Sequence, residues 1–334
     1  MASERMLNQG EGRRDRLFST LALLTVLLTV GLIVFGAVVR VTDSGLGCGN
    51  SWPLCDGRIF PPLDNLTAWI EWSHRLFAAL IGLLGLGMLA LAIVDYRRNP
   101  ADQNLFVLVA TVVTALLFVV QSALGAIVVV LDLPPTMVTL HLGTAMLLLG
   151  ALLVAAVAAM YRPQAAQVQR TDSVTLLAYV TAALAFVIIL TGALVRGSGA
   201  TLACLDWPLC NGEIFPTGQG ALALVHMLHR YAVVGLGLAL VVLVWYTRRE
   251  RPAVPARTLA SVALVAYLLQ AGVGAMFVLS AAAPVWGAAH VGLASVTWAL
   301  LVALSAVETL DNRSVGRETS DEFTEERWQS QRQV

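Results

Sequence analysis

Residues 36–75 read GAVVRVTDSGLGCGNSWPLCDGRIFPP…EWSHR, and residues 192–230 read GALVRGSGATLACLDWPLCNGEIFPT…HMLHR. Each copy carries an Arg, two Cys, the string Trp-Pro-Leu-Cys, a Gly, Ile-Phe-Pro and a closing His-Arg. A second block also recurs. Gln121-Ser-Ala-Leu-Gly125 leads to His141 and Gln270-Ala-Gly-Val-Gly274 leads to His290, in both cases 20 residues beyond the Gln. The chain is therefore written twice, and each half supplies one His from each block. Two repeated His per half in an otherwise apolar chain is the pattern of a duplicated metal or haem site.

The 334 residues are 58% hydrophobic and 13% charged, with mean hydropathy +0.77. A soluble domain carries about 25% charged residues, so this composition belongs in a membrane. A bilayer core needs about 20 residues of helix. Eight runs reach that length, at 17–40, 69–94, 104–131, 137–161, 175–196, 222–247, 258–280 and 285–308. The first is too long for a signal peptide, and its repeat partner at 175–196 is internal, so it is read as retained.

All 21 basic residues are Arg. They gather before the first run, after the second, fourth and sixth, and in the tail, which by the positive-inside rule puts both termini in the cytoplasm. The loops 41–68 and 197–221 then face outward, and they hold all four cysteines. An oxidising compartment and short spacing predict the disulfides Cys48–Cys55 and Cys204–Cys210. These either staple the loops or act as redox-active thiols. The spacing does not suit zinc.

The expected fold is all-α and integral to the membrane: eight transmembrane helices as two tandem four-helix bundles. Residues 1–161 form the first bundle, 162–174 a cytoplasmic linker, 175–308 the second bundle, and 309–334 a charged, mobile tail. With four spans per half, the second half keeps the orientation of the first. The halves should then be related by a pseudo-two-fold axis along the membrane normal.

Five His are present: His74, His141, His226, His229 and His290. All fall on even-numbered helices, within about two turns of the outer end, or under ~11 Å at 1.5 Å per residue. At matching depth His74 can face His141, and His229 can face His290. A buried ionisable residue in a membrane is by default a functional group, and neutral imidazole is a good iron ligand. No Cys-x-x-Cys-His occurs, which excludes covalent c-type attachment. No Met or Cys cluster beside the His favours copper. Arg40, Arg75, Arg196 and Arg230 stand at the outer helix ends. They either snorkel to the interface or pair with haem propionates, which suit the guanidinium fork.

The halves differ one turn before the first-block His. Glu71 precedes His74 by three residues, whereas His226 precedes His229. Residues three apart share a helix face, so Glu71 is expected in the pocket of His74, where a carboxylate can exchange protons or stabilise a cation. His226 is read as a spare ligand or a propionate partner.

Taken together, the duplicated Trp-Pro-Leu-Cys loops, Glu71-x-x-His74-Arg75 and the four paired His resemble the haem A synthase family, over about 17–308. The resemblance implies an eight-helix membrane oxidoreductase of the bacterial cell membrane. Such an enzyme oxidises the C8 methyl of haem O to a formyl group by successive hydroxylations, making haem A for cytochrome oxidase. It implies His229 and His290 as axial ligands of a haem b cofactor, His74 and His141 as ligands of the substrate haem iron, and Glu71 as the catalytic carboxylate. The two Cys pairs match the family's loop cysteines. Membrane lipid, a haem O synthase (farnesyltransferase) and cytochrome oxidase assembly factors are the expected partners, and nucleic acid is not. Two rival readings stand beside this one. A dihaem b electron-transfer protein accounts for the His but not for Glu71 or the Cys. A thiol–quinone oxidoreductase accounts for the Cys but not for the His.

Overall fold

The computed structural model describes the backbone of residues 2–163 and 172–332, and the side chains of 16–101, 103–163 and 173–313. Among the described residues the long elements are eight helices: α1 (Ala2–Val41), α2 (Leu66–Arg98), α3 (Asp102–Val130), α4 (Pro135–Met160), α5 (Asp172–Gly197), α6 (Ala221–Glu250), α7 (Val254–Leu279) and α8 (Pro284–Arg332). Each contains a stretch long and apolar enough to cross a membrane. The eight-span, all-α membrane fold expected from composition is therefore the observed one. Most of the expected linker 162–174 lies outside the described residues.

Local sequence explains how these helices start and turn. Asn65 caps α2, its side-chain oxygen accepting from the Ala68 amide at 3.0 Å, which satisfies one of the free N–H groups of the first turn. Proline opens α4 and α8, where its missing N–H costs nothing. The turns before these two helices also repeat. Asp132 and Leu133, then Ala281 and Ala282, adopt positive φ. The Leu133 amide closes on the Val128 carbonyl at 2.8 Å and the Ala282 amide on the Phe277 carbonyl at 2.9 Å.

Packing follows the duplication. α1 contacts α2 and α4 while α3 contacts α2 and α4, so α1–α4 close a ring, and α5–α8 close another by the same pattern. The rings meet through α4 against α5 and α8, and α1 against α8. Half of the apolar stretch of α4 and of α8 is buried, against 17–33% for the other six helices. These two helices are thus the centre of the molecule. Gly150 on α4 allows their approach: a methyl group there would lie 2.7 Å from the Trp298 ring of α8. The Trp298 indole in turn donates to the Ala182 carbonyl of α5 at 3.0 Å.

The ends of the helices opposite the cysteine loops hold a polar cluster. Arg251 is 2% exposed and forks onto Glu308, with Nε 2.8 Å and Nη2 2.5 Å from Oε2. Glu308 also accepts from Thr175 at 3.1 Å, and Asn312 donates to Thr175 at 2.8 Å. Tyr161 donates to Asp311 at 3.0 Å. Arg251, counted in the sequence among the loop charges, is instead an interior residue joining the α6–α7 connection to α8 and α5. The stretch from 309 onward, expected to be a tail, continues α8 as helix to Arg332, and its first residues belong to this cluster.

Candidate functional site

The two cysteine loops are built alike. The disulfides Cys48–Cys55 and Cys204–Cys210 are both formed, with Cα atoms 4.4 and 4.6 Å apart, as the spacing predicted. The second Cys of each pair begins a two-residue turn. Cys55 and Arg58 exchange backbone hydrogen bonds at 2.9 and 3.0 Å around Asp56-Gly57, and Cys210 and Glu213 do so at 2.9 and 3.0 Å around Asn211-Gly212. All four central residues have positive φ, the conformation for which Asp-Gly and Asn-Gly are the favoured pairs. Both Trp-Pro bonds are cis.

Each loop is fastened to its even-numbered helix by the Arg that follows the repeat His. Arg75 Nη1 donates to the carbonyls of Ser51 at 3.0 Å, Leu54 at 3.1 Å and Pro53 at 3.3 Å. Its Nη2 pairs with Glu71 Oε1. Arg230 does the same in the other half, donating to the carbonyls of Pro208 at 3.2 Å and of Leu209, with Nη2 3.3 Å from His226 Nε2. His226, read from the sequence as a spare ligand or a propionate partner, lies against Arg230 in the slot that Glu71 fills in the first half. Among the described residues the side chains of Arg40 and Arg196 form no hydrogen bond or ion pair.

Glu71 is 3% exposed, and its second oxygen accepts the Cys48 amide at 2.8 Å. Gly47 makes that contact feasible, because a methyl group there would lie 2.4 Å from the Thr67 backbone. The carboxylate therefore links the first disulfide, Arg75 and the start of α2.

The four repeat His sit in register. His74 and His229 are each the ninth residue of their helices, and His141 and His290 the seventh, about 12 and 9 Å from the helix start. His74 lies near enough to His141, and His229 to His290, for the rings to act on each other electrostatically. Among the described residues no cluster of three or more His, Cys, Asp or Glu forms a bare-metal site. The histidines come two by two.

Each His ring lies against a glycine of the neighbouring odd-numbered helix. A methyl group on Gly36 would be 3.2 Å from His74 Cε1, on Gly125 3.2 Å from His141, on Gly192 3.2 Å from His229, and on Gly274 2.7 Å from His290. All four glycines belong to the duplicated blocks. Their repetition was visible in the sequence, but their facing the His was not.

Polar neighbours orient three of the four rings. The Gln121 amide is 3.2 Å from His141 Nε2, and the Gln270 amide is 3.0 Å from His290 Nδ1. The Thr191 hydroxyl donates to the Ile188 carbonyl at 2.8 Å and is 2.9 Å from His229 Nδ1. With its hydrogen committed to the carbonyl, Thr191 accepts from Nδ1–H. That tautomer leaves Nε2 with a free lone pair, the state of a ligand held by a polar neighbour. The repeat partner of Thr191 is Phe35, which meets His74 edge-on with ring centroids 5.8 Å apart. His74 Nδ1 and His141 Nδ1 are buried without a hydrogen-bond partner. The C-terminal pair is thus polar-anchored at both rings, and the N-terminal pair at one.

Known proteins resemble this chain over most of its length. A family described as "Cytochrome oxidase assembly protein" matches residues 19–302. A protein of Symbiobacterium thermophilum named "Heme A synthase" is 33% identical over 295 residues, covering 86% of this chain and 92% of that protein. Proteins of the same name from Shouchella clausii and Halalkalibacterium halodurans are 33% and 34% identical, over 78% and 69% of this chain and 86% and 77% of theirs.

Proposed function

The chain belongs to the haem A synthase family of cytochrome oxidase assembly proteins, and we propose that it is the oxidoreductase its relatives are named for. In this reading haem O is the substrate. Its C8 methyl is hydroxylated twice, and the hydrate loses water to leave the formyl group of haem A, destined for cytochrome oxidase. Haem b is the cofactor, a one-electron carrier when bound.

The residues fit both haems. Each His pair offers two imidazoles near the outer helix ends, and each ring has a glycine beside it where a side chain would otherwise intrude. Flat faces of this kind, in a four-helix ring, suit a planar macrocycle. The C-terminal pair is assigned to haem b through His229 and His290, because Thr191 and Gln270 hold both rings. A resident cofactor benefits from ligands locked by neighbours. The N-terminal pair, His74 and His141, is assigned to the substrate, which must enter and leave. Its less anchored His74 suits exchange.

One observation carries the assignment of chemistry to the first half. At a single position of the duplicated frame Glu71 stands where the other half has His226, and both are gripped by the equivalent Arg. Among the described residues, only the first half therefore offers a fixed carboxylate beside its His pair. Glu71 is assigned the handling of protons, or the stabilising of positive charge, near the methyl group. Arg75 and the Cys48 amide fix its position.

The four arginines divide into two roles. Arg75 and Arg230 are occupied by loop carbonyls. Arg40 and Arg196 lie one turn beyond Gly36 and Gly192, on the same helix face, and are free to meet propionates. Both termini are placed in the cytoplasm by the Arg distribution, with the cysteine loops outside. A haem O synthase that delivers the substrate within the membrane, and assembly factors that accept the product, are the partners this reading requires.

The test is Glu71→Gln, co-expressed with a haem O synthase. The variant is expected to retain haem b and to accumulate haem O unconverted. Wild-type yield of haem A from this variant would remove Glu71 from the chemistry.

A further inference from the structure

The duplicated motif contains one element with no part in the His pairs, the disulfides or the Arg clasps. This is the dipeptide Ile-Phe after each turn, Ile59-Phe60 and Ile214-Phe215. All four side chains are exposed, at 70%, 61%, 57% and 70%. Neither dipeptide projects away from the helices. The Trp72 indole of α2 donates to the Ile59 carbonyl at 2.8 Å, and the Phe60 and Trp72 rings are 5.4 Å apart. In the other half the Tyr231 hydroxyl of α6 donates to the Ile214 carbonyl, with the Phe215 and Tyr231 rings 5.8 Å apart.

These two clasps are not copies. In the duplicated frame the partner of Trp72 is Met227, and the partner of Tyr231 is Leu76. Different residues at different positions hold the same carbonyl. The folded-back placement of Ile-Phe is thus reached twice by separate means.

The placement sets the depth. Trp72 is the seventh residue of α2 and Tyr231 the eleventh of α6, about 9 and 15 Å below the helix starts. α2 has 33 residues and α6 has 30, so they span about 50 and 45 Å against a hydrocarbon core of about 30 Å. The surplus puts Trp69 and Trp72, whose rings are 5.4 Å apart, in the interfacial band where Trp and Tyr concentrate. The Ile-Phe dipeptides, exposed and held against Trp72 and Tyr231, are set beside the outer turns of α2 and α6.

We propose that Ile59-Phe60 and Ile214-Phe215 are lipid anchors, inserted into the interfacial zone of the leaflet on the cysteine-loop side. They hold each disulfide loop down on the membrane. The attraction is apolar: the preceding residue is Arg58 in one copy and Glu213 in the other, so headgroup charge is not the shared element. The proposal does not depend on which haem occupies which ring.

The test is a nitroxide attached at Phe60→Cys and at Phe215→Cys, with Ile59→Cys and Ile214→Cys as second variants. The four native cysteines are all paired, so only the new thiol is labelled. The full chain is placed in phosphatidylcholine nanodiscs, and collision with oxygen is compared with collision with a water-soluble nickel complex. Asp64→Cys, at an exposed site of the first loop, is the aqueous reference. The oxygen-to-nickel ratio is expected to be several-fold higher at both Phe positions than at 64. A ratio equal to that at 64 would place the dipeptides in water and overturn the proposal. Exclusion of both reagents would overturn it too, by showing the surface covered by protein, such as a second copy of the chain.

Discussion

Gly274→Ala is the smallest change that should empty one haem site. A methyl group at this position would lie 2.7 Å from His290 Cε1 and 3.1 Å from Nδ1. Carbon atoms in contact settle at about 3.5 Å or more, so the ring must retreat by about 0.8 Å. The Gln270 amide, 3.0 Å from Nδ1, must move with it. Metal–ligand distances tolerate only about 0.2 Å, so the displaced imidazole no longer reaches an iron centred between His229 and His290. Overpacking of this kind costs about 1–3 kcal/mol, or roughly five- to 150-fold in haem affinity at 1.4 kcal/mol per decade. The assay is haem b extracted per purified chain, with the reduced-minus-oxidised spectrum. Gly272→Ala, where nothing lies within 4 Å, controls for helix effects and should bind normally, since Ala favours helix over Gly. Gly192→Ala, at 3.2 Å from His229, should fall between the two. Haem b at wild-type stoichiometry with an unshifted spectrum in Gly274→Ala would refute the account of the glycine cradles.

Two further outcomes follow from the same geometry. Thr191→Val removes the acceptor at His229 Nδ1 while keeping the shape. It should weaken haem b retention about 10- to 100-fold, the usual cost of losing such a partner, and shift the haem b midpoint potential; an unchanged potential would show that Thr191 does not orient the ring. Glu308→Gln takes the charge from the carboxylate onto which the buried Arg251 forks. Thermal unfolding in detergent should show a loss of about 3 kcal/mol, the usual cost of breaking a buried pair from one side.

What the sequence revealed and what it concealed divide along physical lines. Eight spans were legible because a bilayer imposes a length on apolar runs. The His pairs were legible because duplication marks them twice, at the same distance from Gln121 and Gln270. The Cys pairing followed from their confinement to two short loops. The neighbours of these groups were not legible. Which helix face meets a His ring depends on packing, so the glycines of both blocks stood in the repeat with no assigned role. Arg75 and Arg230 were expected to point at propionates or water, but each reaches back more than 20 residues to loop carbonyls, and no periodicity records such a contact. Asp56-Gly57 and Asn211-Gly212 did carry a readable turn signal, and it explains how the loops come within reach of those guanidinium groups. Arg251 looked like a topology charge because its burial arises only when α8 delivers Glu308.

The central claim is that one half holds a cofactor haem while the other transforms a haem. Its most direct test is to express the chain with a haem O synthase in a host that lacks haem A, purify it, extract the non-covalent haem and separate the species by mass. The account predicts haem b together with haem A or its hydroxylated precursor. Haem b alone, near two per chain in the presence of haem O, would contradict it and leave a dihaem electron carrier.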